Sequence, residues 1–562
     1  MTAQAAAPHV AVVGGGLAGI TAAIALAETG TRVTLLESRP RLGGATCSFS
    51  RGGLTVDNGQ HVFLRCCAAY RGLLARLGMT GAVTLQDRFD VTVLRPGGRA
   101  RLRRTALPGP LHMGQALASY QHLSCAERLR VVPAALAMTR LDPASSELDG
   151  QRLGDWLAAH GQGEHARRAL WDLFTVSALN VAGDDANLAL AATVVKTALL
   201  SGRDAADIGI PAVPLGDLHG QAAASLLGRL RARVRLSAKV AAVESLPSGG
   251  FLVRLASRGG AAGGNGDGEV IRADGVVLAV PPEIAALLLP TTAGNGVPPG
   301  QPAPAGPRPR DEGTGPEATG GFRGLAPAAT ECSPGPAQWL EIATSPIVNV
   351  HVVYDRRVTR LPFAAAVDSP VQWVFDRTGP SGLREGQYLA ISLSAADAYV
   401  DVPAATLREQ FLPALAELFP AAAQARVVDC FVTRERRATM RQVPGLGRLR
   451  PGAATATAGL VVAGAWTDTG WPDTMEGAVR SGLNAVRELR RSMGVAALRR
   501  APGRGPSGGS GGSPPRASTR GSRAMGSGGS PPGKPSAPPD QHAGWGSAPR
   551  RSSTCMCSTT GG

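Results

Sequence analysis

The chain is 562 residues long, 44% hydrophobic and 18% charged, with a formal net charge of +16. That length supports a large buried core in two or more structural units, and its 8 cysteines show neither metal-ligand nor disulfide spacing, so no metal site is expected. No apolar run reaches the ~20 residues a membrane span needs, and no cleavable leader pattern precedes the first strand, so the chain reads as cytoplasmic.

The opening segment carries the strongest signal. An apolar run, Val10-Ala11-Val12-Val13, flows into Gly14-Gly15-Gly16-Leu17-Ala18-Gly19, then a helix-patterned stretch, a second strand, Val33-Thr34-Leu35-Leu36, and Glu37. Gly14 allows a tight turn, Gly16 lets backbone N–H groups approach a pyrophosphate, and Gly19 lets the helix sit close on the sheet. The helix N-terminus holds phosphate charge on its unpaired N–H groups. Glu37 ends the second strand where a carboxylate accepts from both hydroxyls of an adenosine ribose, which selects FAD or NAD over NADP. A glycine turn alone is a weak sign in a chain with 73 glycines. Strand, glycines, helix, strand and acid in register within about thirty residues are the context the motif requires. Arg39-Pro40-Arg41-Leu42-Gly43-Gly44 follows at once and adds a second pair of glycines.

Residues 54–63 read as a strand followed by a turn at Asn58-Gly59. A helical region spans about 107–200, broken near 142–150 and 181–185. Short strands follow at Val234-Arg235-Leu236, 240–243, 251–255 and 276–280. Two stretches without periodicity, 259–268 and 291–336, are expected to be flexible insertions. Residues 347–353, 371–375 and 388–393 read as strands of a second sheet, with an amphipathic helix over 407–418.

The last core segment, Gly459-Leu460-Val461-Val462-Ala463-Gly464, leads through a Trp-rich loop to a helix from about Met475 to Arg490. Met475, Val479, Leu483, Val486 and Leu489 lie on one face, and Asp473 or Thr474 is placed to cap it. From residue 499 onward nine Lys or Arg stand against one acid, Asp540. This Gly, Ser, Pro and Arg-rich composition cannot offset its ordering entropy, so 496–562 is expected to be a disordered basic tail. It holds half of the net charge and lacks aromatic interleaving, so no specific nucleic-acid partner is expected.

The pattern predicts an α/β protein. A Rossmann-like FAD-binding domain is built from discontinuous segments, 1–70, 205–290 and 455–495. An α+β substrate-binding domain, 71–204 and 337–454, carries a mixed sheet and the helical region.

These segments together resemble the FAD-dependent amine oxidase and phytoene desaturase superfamily, with its nucleotide fingerprint, arginine-rich double-glycine motif and C-terminal flavin segment. Within it, Asp57-Asn58-Gly59-Gln60-His61-Val62-Phe63-Leu64-Arg65-Cys66-Cys67, Leu179-Asn180, Ile210-Pro211-x-Val213-Pro214-Leu215 and Glu476-Gly477-Ala478-Val479-x-Ser481-Gly482 resemble the hydroxysqualene dehydroxylases, also called squalene-associated FAD-dependent desaturases. The likeness covers roughly residues 9–490 apart from the two insertions.

The resemblance implies that Gly14, Gly15, Gly16 and Gly19 hold the FAD pyrophosphate, and Glu37, with Ser38 beside it, the adenosine ribose. Arg39 lies along the phosphates, and Gly43 and Gly44 let the backbone pass close to the ribityl chain. Gly59, Gln60 and His61 run beside the isoalloxazine, and Val240 meets the adenine through its backbone. Gly464, Ala465 and Met475 approach the ribityl chain and the flavin N1/O2 edge. Two positions depart from the superfamily pattern: Ala45 stands where Arg is common and Ala465 where Asp is common, each removing a hydrogen-bonding side chain from the cofactor.

The implied activity is reductive dehydroxylation in squalene and hopanoid biosynthesis. The allylic hydroxyl of hydroxysqualene leaves as water and reduced flavin delivers hydride, giving squalene. Such chemistry needs a dry apolar tunnel, a proton donor and a positive dipole at the flavin edge. The helix at Met475 supplies the dipole. Residues 188–200 with Trp171, Phe174 and Leu179 are candidates for the tunnel, and His61 and Asp468 for the acid. An apolar isoprenoid substrate suggests reversible attachment to the inner membrane face through exposed apolar and basic residues of the helical region. A carotenoid-type desaturase, an amine oxidase of the same superfamily, or a non-catalytic nucleotide-binding protein would share the same cofactor residues.

Overall fold

The computed structural model describes residues 7–108, 111–257, 269–290 and 333–500. The expected insertions at 259–268 and 291–332, and the basic tail from 501 onward, lie outside the described residues.

Strands from distant parts of the chain form one parallel sheet in the order Arg233–Arg235, Arg32–Leu36, His9–Val13, Gly275–Leu278 and Leu460–Val462. The apolar runs over 10–13, 276–278 and Leu460–Val462 suit a sheet covered on both faces, and Val12, Leu35, Val277 and Val462 are all 0% exposed. Alternate side chains serve opposite faces. Val10, Val12, Val33 and Leu35 pack toward helix Leu17–Ala27 and the last helix, Met475–Arg500. Ala11, Val13 and Leu36 pack toward an antiparallel sheet of Val240–Ser245, Phe251–Leu255 and Val270–Ala273. The two helices meet at a glycine: a Cβ on Gly482 would lie 2.4 Å from the Ala18 carbonyl oxygen.

A second, seven-stranded sheet runs Val427–Met440, Thr344–Tyr354, Gln387–Leu393, Trp373–Asp376, Phe363–Ala366, Asp90–Arg95 and Gly98–Arg103. Its pairs are antiparallel except that between Phe363–Ala366 and Asp90–Arg95, so the sheet is mixed. Helix Ala404–Leu418 buries Leu407, Phe411 and Leu415 on one face. Helices from residues 114–200 cover the other, with Met138, Leu157 and Trp171 in that core. Among the described residues no helix is long and apolar enough to cross a membrane, and no group of three or more His, Cys, Asp or Glu could hold a metal ion.

Three expected boundaries move. Helix Ala68–Leu77 crosses the 70/71 division because Tyr70, Leu73, Leu74 and Leu77 are buried among the first and last helices. The last helix runs through Arg500, so 496–500 is helix rather than tail; no proline or glycine interrupts it after Gly494 until Pro502. Helix Pro336–Trp339 begins at the edge of the 291–336 insertion, anchored by Trp339, which packs 5.2 Å from the ring of Trp466.

Candidate functional site

Every strand of the parallel sheet points its carboxyl end the same way, and the glycine loops gather at that edge, where open α/β sheets bind ligands. Gly14 leaves the first strand with φ +105°, and a Cβ there would fall 2.1 Å from the Ala279 carbonyl oxygen. A Cβ on Gly19 would fall 1.9 Å from the Gly14 oxygen. These two glycines are demanded by the fold itself. Gly16 differs: the nearest atom to a Cβ there is Gly44 Cα at 3.9 Å, so its face is open.

Glu37 is 7% exposed at the end of the second strand. Its carboxylate accepts from Gly15 N–H at 2.6 Å, Arg39 N–H at 2.7 Å and the Ser38 hydroxyl at 3.1 Å. Ala238 N–H donates to the Glu37 carbonyl at 2.8 Å, which brings the buried Val240 to the same end of the sheet. The double glycine lies directly on this loop. Gly43 N–H donates to the Gly15 carbonyl at 2.9 Å, and a Cβ on Gly44, at φ +58°, would sit 2.8 Å from Gly16 Cα. Arg39 is exposed, whereas Arg41, given no role of its own by the sequence, folds back to donate to the Gly44 carbonyl at 3.1 Å.

The Asn58–His61 loop is pinned against the double glycine. Asn58 donates its side-chain amide to the carbonyl of Ala45 and to Glu435, both at 2.9 Å, and accepts from Cys47 N–H at 3.1 Å. Gly59 is buried, and a Cβ on it would lie 3.5 Å from Asn349 Nδ2. The side-chain nitrogen of Gln60 is buried without a hydrogen-bond partner. Such an orphan donor is costly unless a ligand completes it. His61 Nδ1 sits 3.1 Å from the Gly59 carbonyl, and burial pulls the imidazole below its usual pKa against weaker opposition from Asp57 and Glu435.

The C-terminal segment closes on the same edge. Ala463 N–H donates to the Leu278 carbonyl at 2.9 Å, and Gly464 N–H to the Ser481 hydroxyl at 3.0 Å. Trp466 fills the space a side chain on Gly464 would need and donates its indole N–H to the Val280 carbonyl at 2.9 Å. Arg450, which the sequence reading passed over, holds this loop. It is 5% exposed, and one nitrogen donates to the carbonyls of Ala465, Thr467 and Trp471 at 3.1, 2.7 and 2.9 Å. No local pattern marks a lone arginine whose partners are backbone carbonyls.

Thr474 is the cap of the last helix: its hydroxyl accepts from Gly477 N–H at 3.3 Å. Met475 opens that helix, partly buried. Glu476, 1% exposed, accepts from the N–H groups of Ala69 and Tyr70 at 3.2 and 2.8 Å and so caps helix Ala68–Leu77. Asp468, one of the two candidate acids, is the less enclosed of two carboxyls at this loop. It is exposed on a turn, and its carboxylate accepts from Gly470 N–H at 3.0 Å, a local cap of the kind Asp makes in loops. Asp473 is the more enclosed carboxyl. It accepts from Met440 N–H at 2.7 Å, at the join of the last helix with the seven-stranded sheet, and burial raises its pKa above the ordinary carboxylate value.

The sequence pattern of flavin-containing amine oxidoreductases matches residues 17–306 and 332–490, well over half of the chain. The chain belongs to that family. It is 28% identical over 495 residues to a hydroxysqualene dehydroxylase from Rhodopseudomonas palustris, covering 84% of this chain and 96% of that protein. A second hydroxysqualene dehydroxylase, from Sinorhizobium fredii, is 26% identical over 495 residues, covering 85% of this chain and 97% of that protein. A 15-cis-phytoene desaturase from Narcissus pseudonarcissus is 23% identical over 522 residues, covering 86% of this chain and 79% of the other. Among solved structures, a triple mutant of putrescine oxidase matches with TM-score 0.60 and 19% identity, covering 87% of this chain and 99% of that one. Cyclohexylamine oxidase from Brevibacterium oxydans matches with TM-score 0.59 and 18% identity, covering 88% of this chain and 100% of that one.

The α/β architecture is thus that of the flavin amine oxidases, and the protein is a flavin-dependent oxidoreductase of this superfamily. The crevice fits such a cofactor. Stacked glycine loops, two helix N-termini and an orphan amide on Gln60 are what a large anionic nucleotide with a polar ring edge completes.

Proposed function

We propose that this flavoenzyme takes FAD and converts hydroxysqualene to squalene by reductive dehydroxylation. The near full-length similarity to two hydroxysqualene dehydroxylases carries this reading. Gly14, Gly15, Gly16 and Gly19 would hold the pyrophosphate and Glu37 with Ser38 the ribose, while Arg39 lies along the phosphates. Gly43 and Gly44 would flank the ribityl chain, with Val240 at the adenine and Gly59 and Gln60 beside the ring. Gly464, Ala465 and Met475 would face its pyrimidine edge. The missing side chain at Ala465 is offset by Arg450, which orients the loop through its carbonyls.

When bound and reduced, the flavin supplies hydride. The remaining requirements fall on the chain. The helix beginning at Met475 presents its positive end to developing negative charge. Phe174, Leu179, Leu188, Ala191, Ala192 and Val195 belong to the apolar core between helices and large sheet, and would exclude water from a departing hydroxyl. Burial keeps His61 neutral to lower pH than a free imidazole, so it is a poor source of a proton at neutral pH. Asp473, whose carboxyl keeps its proton to higher pH than an ordinary aspartate, is assigned as the donor that lets the hydroxyl leave as water.

A second reading, desaturation of a polyene, is favoured by the likeness to phytoene desaturase. Incubating the purified flavoprotein with hydroxysqualene and dithionite under nitrogen separates the two. Squalene in the extract supports the first, whereas an unchanged alcohol with turnover of a carotenoid precursor or an amine overturns it.

A further inference from the structure

Helix Cys125–Arg140 is apolar on two sides. Val131, Ala134 and Met138 are buried in the core that also holds Trp171, Leu179 and Leu188. On the outward side Leu129 is 74% exposed, Val132 47% and Leu136 48%, at the i, i+3, i+7 spacing that places them along one stripe. Among the described residues, an outward stripe of this kind on a helix already anchored by its inner face has no role in the fold.

Arginines flank the stripe, and one exposed acid, Asp142, lies just past the end of the helix. Arg130 and Arg140 are exposed on the same helix. Its one carboxylate, Glu127, is committed to the Ser124 cap and to His165 at 2.8 Å. Arg128 donates to the Ala118 carbonyl and ties the helix to the preceding segment, which exposes Leu111 at 63% and Leu107 at 52%. Arg203 donates to the Ala106 carbonyl at 3.4 Å and adds a cation beside Leu107.

We infer that this stripe is the surface by which the protein docks on an anionic lipid bilayer, Leu129, Val132 and Leu136 entering the headgroup boundary and Arg130, Arg140 and Arg203 meeting lipid phosphates. Interfacial helices bind by this pairing of apolar insertion and cationic contact. A second copy fits less well, since two such faces would set Arg130 and Arg140 of one against those of the other, while Glu127 is already engaged by Ser124 and His165. The proposed isoprenoid substrate supplies the reason for such a surface, and vesicle binding is measured without turnover, so the two readings fail separately.

Co-sedimentation with vesicles of phosphatidylglycerol and phosphatidylcholine tests it on the full-length flavoprotein. The wild type binds anionic vesicles, is released by high salt and ignores neutral ones. The double variant Leu129→Glu/Leu136→Glu keeps its melting temperature and its turnover of detergent-dispersed substrate but loses binding by more than about tenfold. Arg130→Gln and Arg140→Gln each weaken binding about fivefold. Undiminished binding by the leucine variant, absence of wild-type binding, or a wild-type dimer that the leucine variant converts to monomer would each overturn the proposal.

Discussion

Asp57 and Arg377 stand 320 residues apart in sequence and meet at 2.6 Å as a buried ion pair, with side chains 5% and 6% exposed. The remaining Asp57 oxygen accepts from the Ser48 hydroxyl at 2.6 Å and Leu215 N–H at 3.0 Å, and Arg377 donates to the Pro211 carbonyl at 3.0 Å. The pair therefore fastens the strand before Asn58–His61 to the seven-stranded sheet. Replacing Arg377 with Met strands a desolvated carboxylate. Chemical denaturation is expected to show a loss of about 3–5 kcal/mol, with a lower flavin-to-protein ratio because the loop beside the ring loses its anchor.

Gly16 and Gly44 separate folding from cofactor binding. A methyl on Gly16 meets nothing nearer than 3.9 Å, whereas one on Gly44 lands 2.8 Å from Gly16 Cα at φ +58°. Gly16→Ala should leave the melting temperature of the flavin-free protein unchanged and sharply reduce flavin uptake, read as absorbance of the bound flavin. Gly44→Ala should lower both, with a left-handed backbone penalty of about 1–2 kcal/mol. Equal behaviour of the two variants would refute the open face assigned to Gly16.

How much of this crevice could be read from sequence follows from where the partners lie. Gly14, Gly16, Gly19 and Glu37 were legible because a turn, a helix start and a strand end fix their spacing within one short segment. Arg377, Arg450 and Glu476 were not, since their partners are backbone groups of other segments or a carboxylate hundreds of residues away. Strand Val427–Met440 was missed because Thr433, Arg434, Glu435, Arg436 and Arg437 mask its alternation. The hairpin Asp90–Arg103 did carry a signal, alternating residues around Pro96-Gly97-Gly98, that was passed over.

Acid sensitivity should come from buried histidines. Burial pulls His219 and His351 down to about 3, against 6.5 for a free imidazole. The unfolded chain takes up these protons below 6.5 while the folded one does not, so stability is full above that pH and falls as the solution is acidified toward 3. Each group contributes a slope of about 1.4 kcal/mol per pH unit in that window. His351 bonds the Tyr388 hydroxyl at 2.7 Å and Thr433 at 2.9 Å. His351→Gln should reduce the slope by one such increment in unfolding titrations between pH about 4 and 6.

The two carboxyls near the start of the last helix give the sharpest test of the chemistry. Asp473 accepts from Met440 N–H in an enclosed position, and an asparagine oxygen can take over that bond, so Asp473→Asn removes the proton and little else. Turnover should fall by about 10²–10⁴-fold while the flavin spectrum and melting temperature stay near wild type. Because burial raises the pKa of this carboxyl, wild-type turnover should decline as pH rises through that value, and the decline should vanish in the variant. Asp468→Asn, which alters an exposed turn cap and removes one charge acting on the buried Arg450, should stay within about twofold of wild type. If Asp468→Asn proves the slower enzyme, or if Asp473→Asn keeps the wild-type pH profile, the proton comes from elsewhere and the role assigned to Asp473 falls.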